Sequence, residues 1–288
     1  MNMLDELHKV AEIIGEMPVK SEKIAQSYDL SIYKLEFKHR AALVAKHGHP
    51  KLRDHFEIEF KMLKQLNEFN FLPTPQAIYV SDALYLMDYI DNVALGHHQE
   101  AEAKIARKIA QLHDVKAQKF GFEYDTLIGS LLQPNRFNTN WIEFFRDQRL
   151  IYFADLCYQQ KLVSSEFRHQ IDKISDRLDE LLLDNHKPTL IHGDLWYGNI
   201  LTDGSALNAF IDPALYYANP EIELAYVTMH NSLGDDFFNE YQQHHQIEDG
   251  FFDLRKDIYN IYPHLIHILL CGPEYAVPVE AVFKRHGV

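Results

Sequence analysis

The chain is expected to fold as an α+β protein of two lobes, the first strand-rich (residues 1–90) and the second mainly helical (residues 91–288). Three observations predict this. Apolar residues alternate at period two in several short segments before residue 90. From Glu100 they recur at helical spacing instead. An apolar share of 47% over 288 residues is enough for two real cores, and no repeat or low-complexity linker interrupts them.

Residues 1–16 have the pattern of an amphipathic helix. Residues 19–47 predict strands, with "IYKLEFK" alternating and "AALVAKHG" apolar up to Lys46. "LRDHFEIEFKMLKQLNEF" predicts a helix ended by "NFLPTP", followed by the strands "QAIYV" and "ALYLMDYI" around Ser81-Asp82. A hinge is placed near Asp88–Asp91. In "EAEAKIARKIAQLH", Ala101, Ile105, Ile109 and Leu112 form one helical stripe. Helices are expected over about 140–160 and 164–183, a short-strand region over 189–212 inside the second lobe, and helices again to the end.

A net charge of −14 argues against non-specific nucleic-acid binding and against an anionic membrane surface. An anionic ligand must therefore be held by local cations or a metal. Cys157 and Cys271 do not make a disulfide framework, no apolar run reaches transmembrane length, and the acidic N-terminus is unlike a signal peptide. A cytoplasmic protein is expected, with a monomer as the favoured state.

The stretch "LIHGDLWYGNI" places polar groups between apolar flanks, and "NILTDGSALNAFIDP" follows as a hairpin turning at Asp203-Gly204. A hairpin returns its ends to one side, so Asn199 and Asp212 are expected to face each other, with Asp194 just before. Each alone could be a turn residue. Together they offer two carboxylates and a carboxamide oxygen, the hard donor set that suits Mg²⁺. A His-x-Asp-x4-Asn run followed by a strand-final Asp matches the arrangement of nucleotide-dependent kinases, with Asp194 taking the substrate hydroxyl proton and Asn199 and Asp212 holding metal. His192 is assigned a loop-ordering role, and His113 a packing or capping one. Lys46 ends an apolar strand, where a lysine needs a partner. Glu59 falls within the stripe of Phe56, Phe60, Leu63 and Leu66 while Glu57 does not, so Lys46–Glu59 is the candidate pair on the ATP phosphates.

"LIHGDLWYGNI", "FIDPALYYANPEIELA", "NWIEFFRDQRL", "LYLMDYI" and "KIAQLHD" resemble, in order and spacing, the fructosamine kinase (ketosamine 3-kinase) family. That family lies within the aminoglycoside and choline kinase-like phosphotransferases. The resemblance implies a protein kinase-like two-lobed fold, ATP and Mg²⁺ as cofactors, and a small-molecule or protein-bound ketosamine as substrate. It implies Asp194 as catalytic base, Asn199 and Asp212 as metal ligands, and Lys46 with Glu59 on the phosphates. Met87, Asp88, Tyr89 and Ile90 would lie beside adenine. Trp196 would pack on the substrate sugar or anchor the loop, His267 is a further candidate substrate contact, and Glu223 would order a helix behind the site.

Three departures stand out. "EKIAQSYDLSIY", where the family's nucleotide loop is usually glycine-rich, has no glycine, which leaves Ser27 as a candidate phosphate donor. Ala218 stands where a glycine is usual, and an asparagine often found near Ile266 is missing. Other readings are the same chemistry on an aminoglycoside or amino alcohol, a non-catalytic nucleotide-binding protein, and a metal-dependent hydrolase using His192 and Asp194. A binding module has little use for all five of Lys46, Glu59, Asp194, Asn199 and Asp212, so the kinase is preferred.

Overall fold

In a computed structural model, which describes residues 3–27, 30–93, 99–229 and 233–287, the chain forms two compact units. The first comprises Met1–Leu95 together with Ile200–Asp212, and the second Gly96–Asn199 with Pro213–Val288.

Among the described residues the first unit holds a five-stranded antiparallel sheet. Its strands are β1 (Lys20–Ser27), β2 (Leu30–Glu36), β3 (Leu43–Gly48), β4 (Ala77–Val80) and β5 (Leu84–Asp88), in the order β1-β2-β3-β5-β4. Helices α1 (Met3–Ile14) and α2 (Arg53–Asn67) cover its two faces. Strand alternation decides which side chain meets which helix. Ala45, Leu84 and Leu86 pack with Val10 of α1, while Val44, Tyr85 and Met87 pack with Phe56 and Leu63 of α2. Lys46 follows Val44 by two residues and so shares the α2 face. A one-residue slip of β3 would turn it to the α1 side.

The hairpin Ile200–Thr202/Leu207–Phe210 has the predicted turn, with Gly204 at φ +95° and Asp203 accepting from the Ser205 and Ala206 amides. It packs with the sheet unit, whereas the sequence pattern placed it in the helical lobe. The reason is its hydrogen bonding. Thr202 Oγ1 donates to Val93 O (2.5 Å), the Thr202 amide to Asn92 Oδ1 (3.0 Å), and the Phe210 amide to Pro73 O (2.9 Å). None of these bonds leaves a periodic trace in sequence.

The second unit is mainly helical. Helix α3 (Gln99–His113) buries Ala101, Ile105, Ile109 and Leu112, the predicted stripe. A continuous helical run, Trp141–Phe145, Arg146–Ile151 and Tyr152–Gln159, contains a π-helical middle that carries the buried Arg149. Its guanidinium lies 4.0 Å from the Tyr216 ring centroid and donates to Asn135 Oδ1. Tyr216–Ala218 pairs antiparallel with Thr189–Ile191, a partner strand that sequence alone did not reveal. Among the described residues no helix is long and apolar enough to cross a membrane.

Candidate active site

In the first unit, Lys46 bridges two carboxylates. Its Nζ lies 2.7 Å from Glu59 Oε2 and 2.8 Å from Asp212 Oδ1. The lysine side chain is 5% exposed and Asp212 44%, so the cation is buried while one partner opens to solvent. Burial alone would lower the ammonium's pKa. The charges of Asp212 and Glu59 more than reverse this and hold Lys46 protonated, well above its ordinary range. The pairing with Glu59 is the one predicted from helix phase, whereas the Asp212 contact was not foreseen.

Asp212 also adopts φ +50°, a left-handed conformation that non-glycine residues occupy infrequently. Such strain costs roughly 1–3 kcal/mol and persists only where surroundings hold it. At the end of β5, the Asp88 amide donates to Gln76 O and the Tyr89 amide to Ala42 O, so both are engaged in the sheet unit. Met87 is buried against α2, Lys34 lies over the Tyr89 ring, and Ile90 follows the end of β5. Ser27 ends β1, paired with Leu30, but its side chain lies outside what is described, as do Tyr28 and Asp29.

In the second unit the polar loop is built on close backbone approaches. Gly193 has φ +85°, and a Cβ there would fall 2.1 Å from Ala214 O, so only glycine fits. The Ala214 amide donates to His192 O (2.7 Å), tying the loop to the chain that returns past it. His192 is fully buried and its Nδ1 accepts from the Asp194 amide (3.3 Å), the ordering role expected of it. A turn over Tyr197–Asn199 then brings the buried Asn199 back to Asp194. Its Nδ2 donates to Asp194 Oδ2 (2.8 Å) and Asp194 O (2.9 Å), leaving the carboxamide oxygen as the atom able to meet a cation.

Asp194 Oδ1 accepts from the Tyr226 hydroxyl at 2.8 Å. Burial, followed by the Asp194 charge, keeps that phenol protonated far above its usual range, so it acts towards Asp194 as a donor. Sequence reasoning missed Tyr226. The available signal was its position three residues after Glu223 on one helix, which puts both on one face. Glu223 itself supports the loop, since its Oε1 accepts the Gly193 amide (2.7 Å) and its Oε2 pairs with His113 Nε2 (2.8 Å). Burial holds the His113 imidazole below its ordinary range, so Nε2–H donates to Glu223 and Nδ1 accepts from Tyr241 (2.7 Å). Burial would raise the Glu223 carboxyl, but bonding to His113 and to the Gly193 amide brings it below the usual range. Helix ordering was expected of Glu223, and it bonds the loop directly as well.

Trp196 stacks edge-on with Tyr197 (4.8 Å), and a Cβ at Gly198 would fall 2.5 Å from its ring. His267 lines a small cavity with Tyr226, Tyr262 and Gly193; its Nδ1 donates to Pro263 O (2.6 Å) and its ring stacks on Tyr275.

Comparison with known proteins agrees with this architecture. The fructosamine kinase family model matches residues 2–286. A "Probable ketoamine kinase" of Vibrio parahaemolyticus is 31% identical over 241 residues, 80% of either chain. A chloroplastic protein-ribulosamine 3-kinase of Arabidopsis thaliana is 32% identical over 195 residues, 66% of this chain and 57% of that protein. In structure, a candidate fructosamine-3-kinase from Thermobifida fusca aligns at TM-score 0.86 and 24% identity over 96% of both chains. An ADP-bound aminoglycoside phosphotransferase aligns at 0.65 and 14% over 97% of this chain and 96% of its own. The fold is therefore the kinase-like one, and the chain belongs to the fructosamine kinase family of ATP-dependent phosphotransferases.

Proposed function

We propose that this protein transfers the γ-phosphoryl group of ATP to the third-carbon hydroxyl of a ketosamine, a sugar joined to an amine through a ketoamine linkage. The likeness to ketoamine and ribulosamine kinases supports that substrate class. The observation that carries the chemistry is the buried Lys46 held between Glu59 and Asp212, a costly arrangement unless an anion is to be positioned. On this reading residues 1–90 form the nucleotide-binding lobe, assisted by the hairpin, and residues 91–288 the catalytic and substrate lobe.

Lys46 would hold the phosphate oxygens of a bound nucleotide, with Glu59 keeping it aimed. Asp212 and the carboxamide oxygen of Asn199 are the donors that would hold Mg²⁺. One carboxylate and one amide oxygen are hard donors of the kind that ion accepts while taking its remaining ligands from phosphates and water. Bound there, Mg²⁺ would neutralise charge developing on the transferred group. Met87, Asp88, Tyr89 and Ile90 border the adenine, with the Asp88 and Tyr89 amides themselves engaged in the sheet unit. Ser27 covers the phosphates, and Trp196 and His267 contact the sugar.

Asp194 orients the acceptor hydroxyl and takes its proton as the oxygen bonds to phosphorus and the bond to the ADP oxygen breaks. The phosphorylated carbon neighbours the ketone. Enolisation towards nitrogen makes the phosphate allylic, phosphate leaves, and hydrolysis then frees the amine. The protein is thus a deglycation kinase, working as a cytoplasmic monomer, and the unpaired Cys157 and Cys271 suit a reducing compartment.

Incubation of fructosyl- and ribulosyl-lysine with ATP and Mg²⁺, followed by mass spectrometry, is expected to show phosphorylated adduct and then free lysine. Phosphorylation of an aminoglycoside or amino alcohol, with no transfer to either ketosamine, would overturn the substrate assignment.

A further inference from the structure

A second cavity, about 190 Å³ in volume, lies within the helical unit, lined among others by His113, Lys116, His186, Glu221, Tyr241 and His245. That volume holds far more than one water. Its polar lining sets one lysine and three imidazoles against a single carboxylate. Glu221 is neutralised by a bidentate, buried pair with Arg255 (2.6 and 2.7 Å). Lys116 is exposed, and its Nζ donates to Thr189 Oγ1 (2.8 Å). His245 Nε2 donates to Ala110 O (3.0 Å), with the exposed Asp114 3.2 Å away. His186 Nε2 is buried and has no hydrogen-bond partner among the described residues. A buried imidazole nitrogen left unsatisfied costs about 1–3 kcal/mol, which a ligand atom would recover. In a chain of net charge −14, a cavity lined by a lysine and an unpartnered imidazole nitrogen, with its one carboxylate paired to an arginine, is a local exception.

Two connections run from this wall to the catalytic loop. His113 bonds Glu223, and Glu223 bonds the Gly193 amide, adjacent to Asp194. Lys116 bonds Thr189, the first residue of the strand Thr189–Ile191 that enters the loop.

We propose that this cavity is a binding site for a small multivalent oxyanion, a phosphate or polycarboxylate, and that its occupancy modulates the phosphotransfer rate through the His113–Glu223–Gly193 and Lys116–Thr189 connections. Lys116 Nζ supplies the charged donor and His186 Nε2–H a neutral one, while Tyr241, whose hydroxyl donates to His113, only lines the wall. The site lies outside the proposed nucleotide and sugar contacts, so its ligand changes kcat and leaves the KM for ATP alone.

The test titrates the full-length protein with inorganic phosphate and, separately, citrate, with sodium chloride at matched ionic strength as control. Histidine side-chain NMR reads binding independently of the substrate assignment. The expected result is a saturable shift of the His186 ring signals by at least one of the two anions and a kcat change of at least about twofold. His186→Gln should keep basal activity but lose both responses. Lys116→Met, with folding checked by thermal melting, should weaken anion binding about tenfold, the loss of one charge-assisted bond. Shifts no larger than with chloride in both arms would overturn the site. Saturable binding with unchanged kcat would overturn the coupling, and failure to phosphorylate ketosamines would leave the NMR arm standing.

Discussion

Asp212 in the sheet unit and Asp194 in the helical unit are both single carboxylates at the centre of the proposed chemistry, yet they are held in opposite ways. Asp212 is paired to a cation, sits at a strained φ of +50° and is nearly half exposed. Asp194 is held by two neutral donors, Tyr226 and Asn199, on a loop whose backbone is fixed by Glu223. A cation contact beside solvent can be exchanged for another charge at small cost, which suits the metal-holding role proposed for Asp212. Neutral donors orient a carboxylate without supplying a countercharge, which suits a base that must take a proton. The difference between the units is thus one between a cation-paired, half-open carboxylate and one held by neutral donors.

The largest expected effect breaks the exchangeable side. Asp212→Asn removes a full negative ligand, and turnover should fall roughly 10³-fold, the several kcal/mol that metal stabilisation of transition-state charge supplies. Near-normal steady-state rates at limiting Mg²⁺ would remove Asp212 from that role. Next comes the pair proposed to hold the phosphates. Lys46→Met should lower kcat/KM for ATP by roughly 10²-fold, since charge-assisted bonds contribute about 1.5–3 kcal/mol. Adding Glu59→Gln should cost little more, because groups in one network are not additive. A double-mutant cycle returning independent losses would show that the two do not act together.

A smaller effect sharpens the fixed side. Tyr226 is a positioning residue, so Tyr226→Phe should lower kcat about tenfold with little change in ATP affinity. Losing that donor also makes Asp194 more basic, and the acidic limb of the pH–rate profile should move upward. An unmoved limb would reduce Tyr226 to packing. The smallest effect is on stability. The folded-state pKa of His113 lies below its unfolded value of 6.5, so the folded state binds fewer protons. The contribution of His113 is present above pH 6.5 and lost as pH falls through the folded-state value. His113→Gln, an uncharged hydrogen-bonding replacement, should flatten that part of the stability curve in urea titrations across this window. An unchanged slope would place the acid sensitivity elsewhere.

What was legible in sequence was what local periodicity encodes. Alternation in β3 and the helical phase of α2 put Lys46 and Glu59 on facing surfaces, and Asp203-Gly204 announced its hairpin. Contacts made by backbone atoms far apart in the chain were not legible. Phe210 bonding Pro73, Thr202 bonding Val93 and the pairing of Tyr216 with Ile191 depend on topology and carry no composition signal. Tyr226 lay hidden in the helix Glu221–Met229, which is apolar on most sides, so a tyrosine there looked like core. The Lys46–Asp212 contact joins residues 166 positions apart, and nothing in either local sequence specifies it.

The division of labour between the units is tested most directly by measuring ATP binding and single-turnover phosphotransfer on Asp194→Asn. Removing the base should leave calorimetric ATP affinity within about twofold while slowing the chemical step by roughly 10²-fold or more. A variant that loses ATP binding yet keeps its rate at saturation would contradict the assignment of Asp194 to proton transfer.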